Sequence, residues 1–100
     1  MKPLRLAPQA QADLVEIERY SRELWGERQT DLYLESIKLR LEQIALWPGL
    51  GSLCDEVLAG VRRATVGSHV IYYEEEPGFV LVDRVIHHRM DYRRHLPGPD

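Results

Sequence analysis

The N-terminal residues place Leu4 and Leu6 on either side of Arg5, an alternation that predicts a short first strand, and Pro8 ends it. From Pro8 the apolar positions change period. Ala12, Leu14, Ile17, Tyr20, Leu24 and Trp25 fall at helical spacing, Asp13 and Glu16 lie near the positive end, and proline suits the first helical position, so a helix is expected over 8–25. Gly26 reads as its C-cap. A second helical pattern runs through Tyr33, Leu34, Ile37, Leu41, Ile44 and Leu46 until Pro48 and Gly49 stop it, and two helices joined by so short a turn are expected as an antiparallel hairpin. After a turn-rich stretch ending at Gly60 the period becomes two. Strands are expected at 61–66, 69–74 and 79–87, with Gly67-Ser68 and Glu75-Glu76-Pro77-Gly78 as the turns of an antiparallel meander. The third strand is apolar on both sides, with Phe79, Leu81 and Val85 on one and Val80, Val82 and Ile86 on the other, which marks it as central and covered. The expected fold class is α+β: an N-terminal strand, a helix hairpin, then a three-stranded meander with the helices packed on one sheet face.

At 100 residues the chain is expected to form one domain over 1–100. Its 44% hydrophobic and 29% charged residues are those of a globular protein, and no apolar run approaches the roughly 18 residues of a membrane span. No signal peptide is expected, since residues 1–8 lack an apolar core. The lone Cys54 cannot form an internal disulfide and suits a reducing cytoplasm. Net charge is −3, which argues against a protein that coats nucleic acid through a broad basic field or binds DNA sequence-specifically by itself.

The average conceals a division. Residues 1–60 carry seven Lys or Arg against ten Asp or Glu, whereas 84–96, "RVIHHRMDYRRHL", carry four arginines and three histidines against Asp91. A zinc site of His88, Asp91 and His95 would suit helical spacing, but four arginines and the absence of cysteine weigh against it, so no metal is assigned. No cofactor is expected either: there is no Gly-rich phosphate loop and no G-x-S-x-G.

The order of elements, with "LAPQAQADLVEIERY", "LWGERQTDLYLESI", "WPGLGSLCDEVLAGVRRATVGSHVIYY" and a closing Arg-Val-Ile-His-x-Arg-Met-Asp pattern, resembles the ParE branch of the RelE/ParE toxins over nearly the whole chain. The resemblance implies a toxin neutralised by a small ParD-like antitoxin in a hetero-oligomer, acting on DNA gyrase by binding. The alternative it leaves open is the ribosome-dependent mRNA endonuclease activity of the RelE branch. In that case Arg62 and Arg84 would stabilise the phosphate, His88 would act as acid or base and Tyr92 would assist. An inert adaptor that kept the fold is a third class.

Taken as a binding surface, Arg84, His87, His88, Arg89, Arg93 and Arg94 form the expected target-binding set, with arginines as bidentate anchors. The antitoxin is expected at Leu4 and Leu6 on an exposed edge strand, and at Trp25, Leu32, Leu39 and Trp47, which lie at the helix ends or off the main apolar stripe.

Overall fold

The computed structural model describes residues 1–55 and 58–90. In chain order these form β1 (Leu4–Leu6), α1 (Pro8–Leu46), a 3-10 turn (Pro48–Leu50), β2 (Ser52–Leu53), β3 (Val61–Val66), β4 (His69–Glu76) and β5 (Phe79–His87). The class is α+β, but among the described residues the sheet has five strands rather than the four expected, in the order β1-β5-β4-β3-β2. β1 joins beside β5 in parallel, with Arg5 opposite Leu81, while β2 pairs antiparallel with β3, Ser52 opposite Arg63. Two residues are too few to show a period, which is why the sequence pattern passes over β2.

The two expected helices meet at a kink within α1, where Gly26 has a non-helical backbone at φ 80° and ψ 179°. That backbone lies where a side chain is strained, so glycine is needed there. A straight helix of this length would span about 58 Å, yet the longest dimension of the molecule is 38 Å, so α1 bends sharply at Gly26. Thr30 Oγ1 donates to the Gly26 carbonyl at 2.7 Å and steadies the break. The two arms run side by side, with Leu14 and Val15 of the first and Leu34, Ile37 and Leu41 of the second lining one shallow cleft.

Ala10, Ile17, Ile37 and Ile44 bury their side chains against Ala64, Ile71, Tyr73, Val80, Val82 and Val85, so the main core lies between α1 and one sheet face. Cys54, Val61, Val70, Tyr72 and Ile86 form a smaller cluster on the other face. Val85 thus corrects the strict alternation expected of β5. Tyr73 pairs with Val82 and Tyr72 with Arg84, so Asp83 is an extra residue, a β-bulge that reverses the parity of everything after it. Val80, Val82 and Val85 consequently share the helix face.

Asp83 is itself buried, and its Oδ2 finds no hydrogen-bond partner. Burial first, then Glu74 and Glu76, push its carboxyl up to about 8. A carboxyl with a raised folded-state pKa holds its proton more tightly than the unfolded chain does, so stability is greatest below the unfolded value of about 4 and is lost as pH rises toward about 8. The urea midpoint of the parent protein should therefore fall between about pH 5 and pH 8, and Asp83→Asn should flatten that decline and gain roughly 1–3 kcal/mol at the alkaline end. An unchanged pH profile in Asp83→Asn would show that another group carries the dependence.

Candidate functional site

The site lies where the last turn of β5 meets the first arm of α1. His69 opens β4 directly opposite His87 at the end of β5. The chain then turns tightly: His88 N–H donates to the Ser68 carbonyl at 2.9 Å, Met90 N–H to the His87 carbonyl at 2.9 Å, and Arg89 N–H to His87 Nδ1 at 3.2 Å. Across from this turn stand Ile17, Tyr20, Leu24 and Trp25, leaving a cleft of about 620 Å³. Tyr20, Leu24, Trp25 and Met90 are exposed, so the rim is apolar.

Five rings run through this region. Trp25 meets Tyr33 edge-on at 6.2 Å, Tyr33 lies 5.6 Å from His69, His69 meets His87 edge-on at 5.6 Å, and His87 stacks on His88 at 4.5 Å. Tyr33 reaches the group because Gly67 leaves room: a Cβ there would stand 2.5 Å from the Tyr33 ring, and the φ of +55° also requires glycine. Tyr33 Oη accepts the Ser68 N–H at 3.0 Å and sits 2.6 Å from His69 Nδ1, against 3.3 Å from the Val66 carbonyl. Burial above all, with help from His87 and His88, holds His69 down to about 4, so the ring is neutral at physiological pH. One hydroxyl proton faces two acceptors, the Val66 carbonyl and His69 Nδ1, and the tautomer of His69 decides which it serves. Burial, His88 and Arg89 also lower His87. Sequence reasoning passed over Tyr33 and His69. Only the strand register, His69 opposite His87, brings them to the site.

Arg84 is placed differently from expectation. Its Nε and Nη2 donate to Asp13 Oδ2 and Oδ1 at 2.8 and 2.7 Å, and Asp13 Oδ2 also accepts the Val85 N–H at 2.9 Å. Side-chain exposures of 13% and 12% make this a largely buried fork between β5 and α1. Asp13 raises the Arg84 pKa further, so the charge is permanent. Of the two placements open to Arg84, the structure has the inward, paired one rather than an exposed position in the basic patch. Arg62 is likewise removed from the cleft: its Nη1 donates to the Gly51 carbonyl at 2.7 Å, and it lies four residues from Val66, about 13 Å along the strand. Of the expected set, His87, His88 and Arg89 are brought together. Tyr92, Arg93 and Arg94, like Asp91 and His95, lie outside the described residues.

The expected antitoxin residues divide. Trp25, Leu32, Leu39 and Trp47 are at least half exposed. Leu4 and Leu6 turn their side chains to the core, so what β1 presents is a backbone edge that no strand among the described residues pairs with. Among the described residues no group of three His, Cys, Asp or Glu side chains converges to hold a metal ion, and no helix is long and apolar enough to cross a membrane.

The sequence profile described as the ParE toxin of the type II toxin-antitoxin system parDE matches residues 4–92. The chain is 40% identical over 96 residues to a Caulobacter vibrioides protein named Toxin ParE1, covering 96% of this chain and 99% of that one. It is 38% identical over 92 residues to Toxin ParE1 of Mycobacterium tuberculosis, covering 91% and 94%. A solved structure titled as the chromosomal ParDE TA system from P. aeruginosa superposes with a TM-score of 0.75 at 18% identity over 87% of this chain and 96% of that chain, a likeness of fold.

Removing one partner of a buried ion pair leaves the other charge uncompensated. Asp13→Asn should therefore destabilise the protein by about 3 kcal/mol, whereas the paired replacement Asp13→Leu with Arg84→Met should recover most of that loss. Equilibrium denaturation of both variants checks this, and equal losses in the two would show that the pair contributes mainly by packing.

Proposed function

Because the chain belongs to the ParE toxins of type II toxin-antitoxin systems, we propose that it arrests growth by binding DNA gyrase through the cleft and the basic turn after β5, and that a ParD-like antitoxin neutralises it. What supports binding over cleavage is the fate of the two arginines a phosphate-cleaving centre would need. Arg84 is bound bidentately to Asp13, and Arg62 donates to the Gly51 carbonyl away from the histidines. His69 is neutral, and the cleft rim is Tyr20, Leu24, Trp25 and Met90. An apolar rim beside the Arg89 guanidinium has the character of a protein-recognition hot spot. The antitoxin reading rests on the exposed Leu32, Leu39 and Trp47 of the second arm and on the open edge of β1, surfaces suited to an amphipathic helix and an extended segment.

Two reactions test the proposal. Purified protein should inhibit gyrase supercoiling and leave cell-free translation unaffected; inhibition of translation alone would replace this reading with ribosome-dependent cleavage. Within the cleft, Trp25→Ala combined with Arg89→Ala should weaken gyrase inhibition by about tenfold or more, as loss of one aromatic and one arginine anchor does. The circular-dichroism spectrum should not change, because both side chains are exposed. His87→Ala with His88→Ala should weaken growth arrest without abolishing it, whereas a nuclease that used them as acid or base would lose it outright.

A further inference from the structure

The tight turn between β3 and β4 leaves two backbone groups that the strands do not use. Val66 faces His69 across it, so the ladder takes up those two residues, and the N–H and C=O of Ser68, the second residue of the loop, point outside the hairpin. Backbone groups taken from water need partners, and both of these find one on another element. The Ser68 N–H donates to Tyr33 Oη at 3.0 Å, and the Ser68 carbonyl accepts the His88 N–H at 2.9 Å. The second arm of α1 is thereby joined, through one residue of a hairpin, to the first residue after β5.

Tyr33 holds the loop at three successive residues. Its ring lies against Gly67, where a Cβ would stand 2.5 Å from it, and its hydroxyl meets the Ser68 N–H and, at 2.6 Å, His69 Nδ1. Whichever acceptor takes the hydroxyl proton, the oxygen keeps a lone pair for Ser68. Beyond His88 the chain is tied just as closely: the Arg89 N–H bonds His87 Nδ1 and the Met90 N–H bonds the His87 carbonyl, so a shift of His88 carries Arg89 and Met90 with it. Ser68, His69, His87, Arg89 and Met90 line the cleft, whereas Tyr33 is not one of its lining residues. The Tyr33 ring also meets Trp25 edge-on at 6.2 Å, so one side chain backs the cleft on both sides.

We propose that Tyr33 is a positioning residue for target binding: it touches no partner itself, and its hydroxyl, acting through Ser68 and the His88 backbone, determines where the turn after β5 presents Arg89 and Met90. The two parts of the side chain have separate tasks. The ring fills the space under Gly67 and supports Trp25, while the hydroxyl holds the peptide on which His88 depends. An arginine anchor contributes to a binding hot spot only when its place is fixed before the partner arrives, because ordering it on binding costs affinity. The link from Tyr33 to His88 supplies that fixed place without adding a charge to the cleft.

Tyr33→Phe removes the hydroxyl and keeps the ring, so it isolates the positioning task. Amide hydrogen exchange of the intact protein, followed by NMR, should accelerate at Ser68 and His88 by about fivefold, as loss of one hydrogen bond gives. The Val80 N–H, bonded to the Pro3 carbonyl at the opposite end of β5, should change far less. The protein concentration that half-inhibits gyrase should rise by about fivefold. In a protein already carrying Arg89→Ala and Met90→Ala, assayed at concentrations that restore its inhibition, Tyr33→Phe should raise that concentration no further, because the hydroxyl then has nothing to position; a direct contact or a general loss of stability would add its full effect. Equal acceleration at Ser68, His88 and Val80, no acceleration at Ser68 and His88, or an additive loss in the combined variant would each overturn the proposal. The inhibition measurement rests on the gyrase reading above and the exchange measurement does not, so a parent protein that fails to inhibit gyrase removes that reading and leaves this one to be decided by exchange.

Discussion

The fork between Arg84 and Asp13 is the constraint on which the arrangement of this molecule depends. It joins the first arm of α1 to the strand that has the most neighbours, β5, and Asp13 extends the contact by accepting the Val85 N–H. That amide is free to point at a side chain because the ladder is irregular at this point: the bulge at Asp83 displaces the pairing of Tyr72 and Tyr73. A regular strand would offer its N–H to β4. One extra residue in β5 thus opens a backbone donor, an α1 carboxylate fills it, and the same carboxylate holds the guanidinium that a regular ladder would not have placed there. Everything beyond, from Val85 to Met90, takes its orientation from this junction.

The cleft is a consequence of that orientation. Once Val85 returns to the helix side, His87 ends the strand opposite His69, and the following turn folds Arg89 and Met90 back toward Tyr20 and Trp25. Tyr33 reaches in from the second arm under Gly67 and hydrogen-bonds His69, which burial keeps neutral. Three imidazoles beside an arginine would repel one another if charged, and lowered proton affinity at His69 and His87 is the physical answer to that crowding. Among the described residues, an aromatic wall with a neutral His69 is better suited to apolar side chains than to a phosphate whose developing charge needs several cations.

Much of this was legible in the sequence. Pro8, Gly26 and Pro48 mark the limits and the break of the helical segment, and the strand bounds 61–66 and 79–87 coincide with β3 and β5. Those signals are local, carried by proline and glycine backbone preferences and by runs of β-branched residues. The partners of individual side chains were not legible. Arg84 and Asp13 stand 71 positions apart, and nothing near either residue announces the other. His69 looks like an ordinary strand residue until its register opposite His87 is known. Leu4 and Leu6 look like an exposed edge, yet β1 needs their side chains to cover the core.

The bulge explains why these failures gather on one strand. Period-two reasoning assumes that each residue turns the face over, so a single insertion inverts every assignment that follows and leaves those before it correct. Phe79 to Val82 alternate as read, while Val85 lies on the opposite side from the one its spacing indicates. The inserted residue is an aspartate, the least suited of common choices for a buried position without a donor, and a serine or asparagine would have been easier to accommodate. A strand that breaks its own pattern with a buried acid, binds its next residue to a distant helix and ends in paired histidines is locally inconsistent in three successive ways. Sequences keep such conflicts where something other than folding stability is served. That concentration is on β5, at the bulge and at the end that meets the first arm of α1.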